Sequence, residues 1–416
     1  MEGINLSRSK KKLNSQDDSV YYRYFILFHY IFFKTIGLLP WTMETSGIFR
    51  GNREVENRNF DCYFSYLGSC YSILTFVVYV SFDILVVLNI SLTEIGLNPS
   101  LDLISIKLSF ITIMCTSLVI LIYIFRQKLL ISVNKRSKSV DQQLSKCADY
   151  QLEINNSNYL IFAVNSVLII SSIITRQIHY KSFILVLTVG FPYFIGSWVI
   201  IQYSFLLNMI RTRFKSINLT LSKLGTSESK ISLSRESVID DIDVIKRAYV
   251  ELCGMCEDIG DFYGLPILII IISLCVRSIL NLYNTILVLI NIQKAGTIMY
   301  QYGISLSRII FLFMVMTSFI TEIMKQIKKT ARIINLLIDR YSADEKIRKK
   351  LEKFSRDLWH LTIDFTACDI IPLDRTLLAI VNIVTTFKVI MLTISNKKNS
   401  NSDTAKLTLR SDTLTE

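Results

Sequence analysis

Seven runs of mostly apolar residues divide this chain, at 71–90, 103–125, 159–175, 182–210, 265–293, 298–323 and 374–396. Each is close to the roughly 20 residues that cross about 30 Å of hydrocarbon as an α-helix. In lipid a backbone amide has no water to bond, so a spanning segment must satisfy its own hydrogen bonds, as a helix does. The expected fold class is therefore all-α: a polytopic membrane protein with seven transmembrane helices. The third run, with 17 residues, lies at the short end of the spanning range. Composition agrees, since 51% of the residues are hydrophobic and only 5 of 416 are proline. The basic start (Arg8, Lys10, Lys11, Lys12) leads into polar residues, so no secretory signal is expected. The apolar patch Phe25 to Phe33 contains His29 and is too short to span. It reads as a helix lying on the membrane domain or packed under it.

A net charge of +12 would suit a nucleic-acid binder, but its distribution points elsewhere. Of 46 Lys and Arg, 34 fall in residues 1–70, 126–158, 211–264 and 324–373, and only 7 in the segments alternating with these. Basic residues are retained on the cytoplasmic side. The N-terminus is thus expected in the cytoplasm and, after an odd number of crossings, the C-terminus outside. A G-protein-coupled receptor has the opposite polarity. Asp339-Arg340-Tyr341 looks like that class's signature, yet it follows the sixth run instead of closing the third.

The expected organisation is a cytosolic segment 1–70 with its membrane-associated helix, transmembrane helices 1–4 in 71–210, and a cytosolic loop and helix in 211–264. Helices 5 and 6 follow in 265–323, cytosolic anchor helices in 324–373, helix 7 in 374–396 and a disordered external tail in 397–416. Within 211–264, the Ser/Lys-rich stretch SKLGTSESKISLSRES reads as a linker. After it, Val238, Ile242, Ile245, Tyr249 and Leu252 recur at helical spacing, as do Ile333, Leu337 and Tyr341, then Leu351, Phe354 and Leu358. Such stripes outside a membrane need a partner, either one another within the chain or a second subunit.

Motif-borne catalysis is not expected. The three histidines (His29, His179, His360) are far apart, and no G-x-S-x-G, P-loop or H-E-x-x-H sequence occurs. The single C-x-x-C pair, Cys253 and Cys256, lacks the second pair a structural zinc needs, and reads as two small packing residues. No catalytic residue, metal site or cofactor is therefore assigned.

Charges inside apolar runs carry more information. Asp83, Lys107, Arg277, Arg308 and Lys388 each cost roughly 2.5–3.5 kcal/mol at a helix centre on insertion scales, so they should not face lipid. Asp83 could pair with Arg277 or Arg308 to hold helices together, or the charges could line a polar cavity or ion path. Aromatic and amide residues crowd the expected outer halves: Phe191, Tyr193 and Phe194 around Pro192, then Asn281, Tyr283 and Asn284, then Tyr300, Gln301, Tyr302 and Ser305. That mixture suits a small-molecule pocket, although aromatic residues also anchor at interfaces.

The last run begins after Phe365-Thr366-Ala367-Cys368 and Pro372. Along it Thr376, Ile380, Ile383, Phe387, Ile390 and Ile394 form one stripe, with Thr386 and Thr393 beside it. Several copies around an axis would present alternating apolar and hydroxyl rings, as a dewetting gate requires. Phe365, Thr366, Ala367, Cys368, Leu373, Asp374, Thr376 and the Thr385-Thr386-Phe387 run resemble the C-terminal signature of insect gustatory receptors, and Gly37-Leu38-Leu39-Pro40 resembles the family's motif at the end of its N-terminal helix. Here Phe387, Thr393 and Ile394 replace that signature's tyrosine, glutamine and phenylalanine, and Lys388 stands where sugar-sensing members carry glutamate. The resemblance implies a tetramer, homomeric or with other receptor subunits, acting as a ligand-gated non-selective channel for monovalent and divalent cations. It further implies a pore at Thr386, Ile390, Thr393 and Ile394, a small-molecule tastant of the bitter or plant-derived class, contact with membrane lipid, and a place in the plasma membrane of sensory neurons. No nucleic acid partner is implied. The competing readings are a seven-helix G-protein-coupled receptor or transporter, and a non-conducting co-receptor subunit. Lys388 is expected to face away from the pore axis.

Overall fold

The computed structural model describes residues 24–44, 62–93, 99–147, 150, 157–180, 183–224, 235–290, 295–361, 363–377 and 379; at several helix ends it describes the backbone alone. The chain opens with helix α1 over residues 24–35. Leu38 donates its amide to Phe33 O (3.0 Å) and Gly37 donates to Lys34 O (3.1 Å), the two bonds of a Schellman cap. Gly37 takes the left-handed conformation that this cap requires, with φ 81°. Phe33 and Leu38, the residues that such a cap brings together, are both fully buried.

Strand β1 (Thr42–Met43) then pairs antiparallel with β2 (Cys62–Tyr63), Thr42 opposite Tyr63 and Met43 opposite Cys62. This clasp delivers the chain to helix α2 (Tyr66–Thr93). A Cβ at Gly68 would stand 1.9 Å from the Pro40 carbonyl oxygen, so the close approach of α2 to the Gly37–Pro40 turn depends on glycine.

Helix α3 (Pro99–Phe125) turns by 56° at Arg126 into α4 (Gln127–Leu144). The bend falls where the sequence changes from apolar to amphipathic, and Arg126 donates Nη1 to the Asp261 carbonyl across it (2.7 Å). Three pairs complete the bundle: α5 (Ser157–Tyr180) with α6 (Phe183–Leu224), α7 (Arg235–Ile290) with α8 (Ala295–Arg340), and α9 (Glu345–His360) folded back on α7. Asp344 caps α9, accepting from the amides of Lys346 (3.1 Å) and Ile347 (3.3 Å).

Among the described residues, four helical segments are long and apolar enough to cross a membrane: Ser157–Ile178, Gly190–Leu224, Arg235–Leu282 and Met299–Arg340; the bent pair α3–α4 makes a fifth. Within the apolar runs, aliphatic side chains lie on the outer surface, as lipid requires. On α5, Leu160, Val167, Ile170, Ile174 and Ile178 are all more than half exposed at helical spacing.

Three of these helices outrun a bilayer. At about 1.5 Å per residue, α7 alone is about 84 Å long. Their excess length builds a bundle at the basic end of the molecule. There the sequence stripes find their partners within the chain: Val238, Ile242, Ile245, Tyr249, Leu252, Ile347, Leu351 and Phe354 share one buried core. Tyr249 meets Phe354 ring to ring at 5.8 Å. Arg213, 4% exposed, grips Asp141 with two hydrogen bonds, Nε to Oδ1 (2.9 Å) and Nη2 to Oδ2 (2.6 Å). Lys246 pairs with Asp357, which holds that carboxyl below the usual range, and Lys350 pairs with Asp243 at 2.5 Å. Burial pushes the Cys253 thiol up to about 12 and also raises that of Cys256, so both are protonated core groups.

The fourth apolar run ends at 210 in sequence, yet α6 continues to Leu224. The reason is packing: Phe214, Ile217 and Leu221 are fully buried, and Asn218 bridges to α8 by donating Nδ2 to Gln326 O (2.9 Å) while accepting from Thr330 Oγ1 (2.7 Å).

After α9 a hairpin, β3 (Thr366–Ala367) with β4 (Ile371–Pro372), reverses the chain through Cys368 and Asp369, both with positive φ (53° and 56°). Thr366 Oγ1 ties this turn by donating to Asp369 Oδ1 (2.9 Å). Asp374 then accepts from the Thr376 amide (2.9 Å) and caps a helical turn at 375–377. Thr385, Thr386, Phe387, Lys388, Ile390, Thr393 and Ile394 lie outside the described residues.

Candidate functional site

Gln301, Ser305 and Arg308 follow one another at four and three residues on α8, and so share a face. All three are buried, at 8%, 4% and 4% exposure. On α7, Arg277 and Asn281 are one turn apart and face them, because Asn281 donates Nδ2 to Ser305 Oγ at 2.8 Å. Between these faces α6 inserts Tyr193, 5% exposed. Its ring is surrounded by guanidinium groups: Arg277 Cζ lies 4.7 Å from the ring centre, Arg176 of α5 5.5 Å and Arg308 6.0 Å. Gly190, one turn before the tyrosine, faces the Arg176 guanidinium.

The energetics of this arrangement do not close on the described groups. Each arginine costs roughly 2.5–3.5 kcal/mol at the middle of a helix in hydrocarbon. A desolvated cation–π contact returns about 2 kcal/mol. Two like charges about 10 Å apart repel by about 1.7 kcal/mol at an effective dielectric near 20. The Nε atoms of Arg277 and Arg308 are enclosed and have no hydrogen-bond partner among the described residues. A buried guanidinium left in that condition marks a functional site more readily than a structural one.

Beside the ring, Tyr193, Pro192 and Gly196 of α6 close a cleft with Thr112, Thr116 and Val119 of α3 and Ile270, Ser273 and Leu274 of α7. Its volume, about 20 Å³, is room for about one water, against the several hundred Å³ of typical ligand pockets. Any molecule larger than water would have to move side chains to enter it.

The residues singled out in the sequence separate in the structure. Tyr193, Gln301, Ser305, Arg277 and Arg308 converge. Phe191 and Phe194 turn to another face of α6 and join an aromatic row: Phe191 lies 4.6 Å from Tyr79 and 6.0 Å from Phe194, which approaches Trp198 at 6.2 Å. Tyr300 is 65% exposed, about 100° round α8 from Gln301. Tyr283 and Asn284 lie on α7 and Asp83 on α2, with their side chains outside the description. Arg176 is the addition: it reads as loop in a run ending at 175, but α5 extends to Tyr180 and buries it to 3% exposure. Of the C-terminal motif, Phe365, Ala367, Leu373 and Leu377 are buried. The backbone of Cys368 packs on α7, where a Cβ at Gly264 would stand 3.2 Å from its amide nitrogen.

Known proteins share this architecture. The chain resembles the insect olfactory receptor OR5 of Machilis hrabei, with a TM-score of 0.61 at 10% identity over 90% of this chain and 99% of that one. The same receptor in complex with eugenol gives 0.60 at 11% identity, over 91% and 100%. These likenesses are of fold. A Drosophila melanogaster protein that carries the name gustatory receptor 28b is 35% identical over 78 residues, 18% of this chain and 16% of that protein's length. The sequence profile described as 7tm Chemosensory receptor matches residues 26–395. The chain therefore belongs to the 7tm Chemosensory receptor family, a family of membrane receptors and not of enzymes.

Proposed function

We propose that the chain is a gustatory receptor that acts as a ligand-gated, non-selective cation channel. In this reading it sits in the plasma membrane of sensory neurons with its N-terminus in the cytoplasm. Four subunits, identical or mixed, surround a pore formed by the seventh helix at Thr386, Ile390, Thr393 and Ile394. The taste assignment draws on the 35% identity to the Drosophila melanogaster gustatory receptor. The orientation draws on the basic segments, 34 Lys and Arg against 7. Permeant cations cross near Thr386 and Thr393, and Lys388 points away from the axis.

The observation that carries the reading is the buried polar site on α5–α8 together with its connection, along α7, to the hairpin that precedes the seventh apolar run. Helix α7 runs unbroken from Arg277 to Gly264, about 20 Å away at 1.5 Å per residue. At Gly264 it touches the hairpin that leads into the last helix. A small molecule that displaces Tyr193 and Arg277 thus pushes a helical rod that carries Pro266 and, two residues from it at Gly264, bears on Cys368. Apolar Ile394 rings close the pore by dewetting and open when the rods move.

Whole-cell recording from cells expressing the chain, challenged with plant-derived compounds, tests this. The expected result is an evoked current that reverses near 0 mV with sodium and potassium exchanged, and keeps its permeability ratios in Lys388→Gln. Evoked signals without any conductance would contradict the channel reading.

A further inference from the structure

We infer that the arginine cluster around Tyr193 is an anion-recognition site, and that the receptor's ligand is an organic acid bound as its carboxylate. This rests on the proposed receptor reading and names the chemical class of its ligand.

The first ground is charge. Three guanidinium groups lie within 6.0 Å of one ring centre, and Arg176 and Arg308 are more than nine-tenths buried. Residues 157–224 and 262–321, which include every part of α5 to α8 near the cluster, contain no Asp or Glu at all. Helices α5 to α8 therefore offer Arg277 and Arg308 no carboxylate near the cluster. The second ground is unmet bonding: the enclosed Nε atoms of Arg277 and Arg308 have no acceptor among the described residues. A guanidinium presents parallel N–H donors whose spacing matches the two oxygens of a carboxylate. The third ground is position. Gln301 and the Asn281–Ser305 pair supply neutral hydrogen-bonding groups on the same faces as the arginines, suited to fix a head group.

The neighbouring cleft supplies the rest of the ligand's description. Tyr193 belongs both to the cluster and to the cleft, whose other walls mix Val119, Ile270 and Leu274 with Thr116 and Ser273. An acid with its carboxylate against Arg277 and Arg308 would lay a short apolar tail past the tyrosine ring among those walls.

The test is a binding measurement on the whole protein in nanodiscs of zwitterionic lipid, in methanesulfonate buffer. Thermal shift and calorimetry are run with hexanoate, methyl hexanoate, hexanamide and chloride. The expected result is saturable stabilisation by hexanoate, with the ester and amide at least tenfold weaker. Arg308→Gln and Arg277→Gln should each weaken hexanoate at least tenfold, and Arg308→Lys, which keeps the charge and guards against a folding defect, less than Arg308→Gln. Asp83→Asn should leave the affinity within twofold. Equal binding of acid and ester would overturn the proposal, as would a chloride shift equal to that of hexanoate at the same concentration, which would make this an inorganic-anion site. A tenfold gain in Asp83→Asn would also overturn it, by showing that α2 neutralises the cluster. Hexanoate binding without any evoked current would reject the channel reading and keep this one, whereas currents evoked only by neutral compounds would do the reverse.

Discussion

Arg277 and Arg308 stand out in the sequence because charges interrupt apolar runs, but helical phase decides what they face, and phase is hard to read where nearly every residue is apolar. The trio at Phe191, Tyr193 and Phe194 illustrates the difficulty. Phe191 and Phe194, three residues apart, share a face, while Tyr193 points into the arginine cluster. Arg176 escapes a hydropathy reading because polar residues 176–180 resemble a loop, yet they form the last turn of α5. His29 carries a prediction at this scale. Its Nε2 is enclosed beside Phe25, Phe33 and Phe205 with no hydrogen-bond partner among the described residues, and burial lowers its pKa from 6.5 to about 3. The folded protein keeps the imidazole neutral, whereas the unfolded chain protonates it below about pH 6.5. Its contribution is therefore complete above pH 6.5 and is lost as pH falls toward 3, at up to about 1.4 kcal/mol per unit. Thermal melts of His29→Leu and wild type should match in pH sensitivity above 6.5 and diverge by up to about 2 kcal/mol at pH 5. Parallel curves down to pH 5 would count against a buried neutral histidine.

Among elements, the amphipathic helices were the easiest to foresee. The stripes Val238 to Leu252 and Leu351 to Phe354 alternate with charges at helical spacing, and they bury against each other within the chain. The α1 cap agrees with the resemblance, since Gly37-Leu38-Leu39-Pro40 resembles the gustatory-receptor motif that ends the N-terminal helix and Gly37 takes positive φ. Less visible was the reach of α6 beyond its apolar run, because its continuation is secured by partners distant in sequence, Gln326 and Thr330. The contact between Gly264 and the hairpin is likewise invisible locally. It yields a prediction: Gly264→Val forces α7 and Cys368 apart, where even a Cβ would sit 3.2 Å from the amide. In the proposed mechanism the variant should retain ligand affinity within about threefold while losing at least tenfold in evoked current, read by binding and recording on the same protein. Loss of both together would mean that the hairpin serves folding and not coupling.

The molecule as a whole has two halves with different solvents. One half exposes aliphatic side chains such as Leu160, Val167 and Ile178, and the other gathers ion pairs such as Arg213–Asp141 and Lys350–Asp243. Hydropathy and charge bias made this division readable, because both report on solvent and need no knowledge of contacts. The tyrosine–arginine site was only partly readable, since it joins four helices whose neighbours the sequence does not name. The central claim is that occupation of this site opens a pore lined by the last helix. Substituted-cysteine accessibility during recording tests it most directly, with cysteines placed singly at Thr386, Ile390, Thr393 and Ile394 and a charged methanethiosulfonate applied from outside. The account predicts that modification blocks the evoked current at Thr393 and Ile394, and proceeds at Ile390 and Thr386 only while ligand holds the channel open. An evoked current that survives modification at all four positions would contradict it.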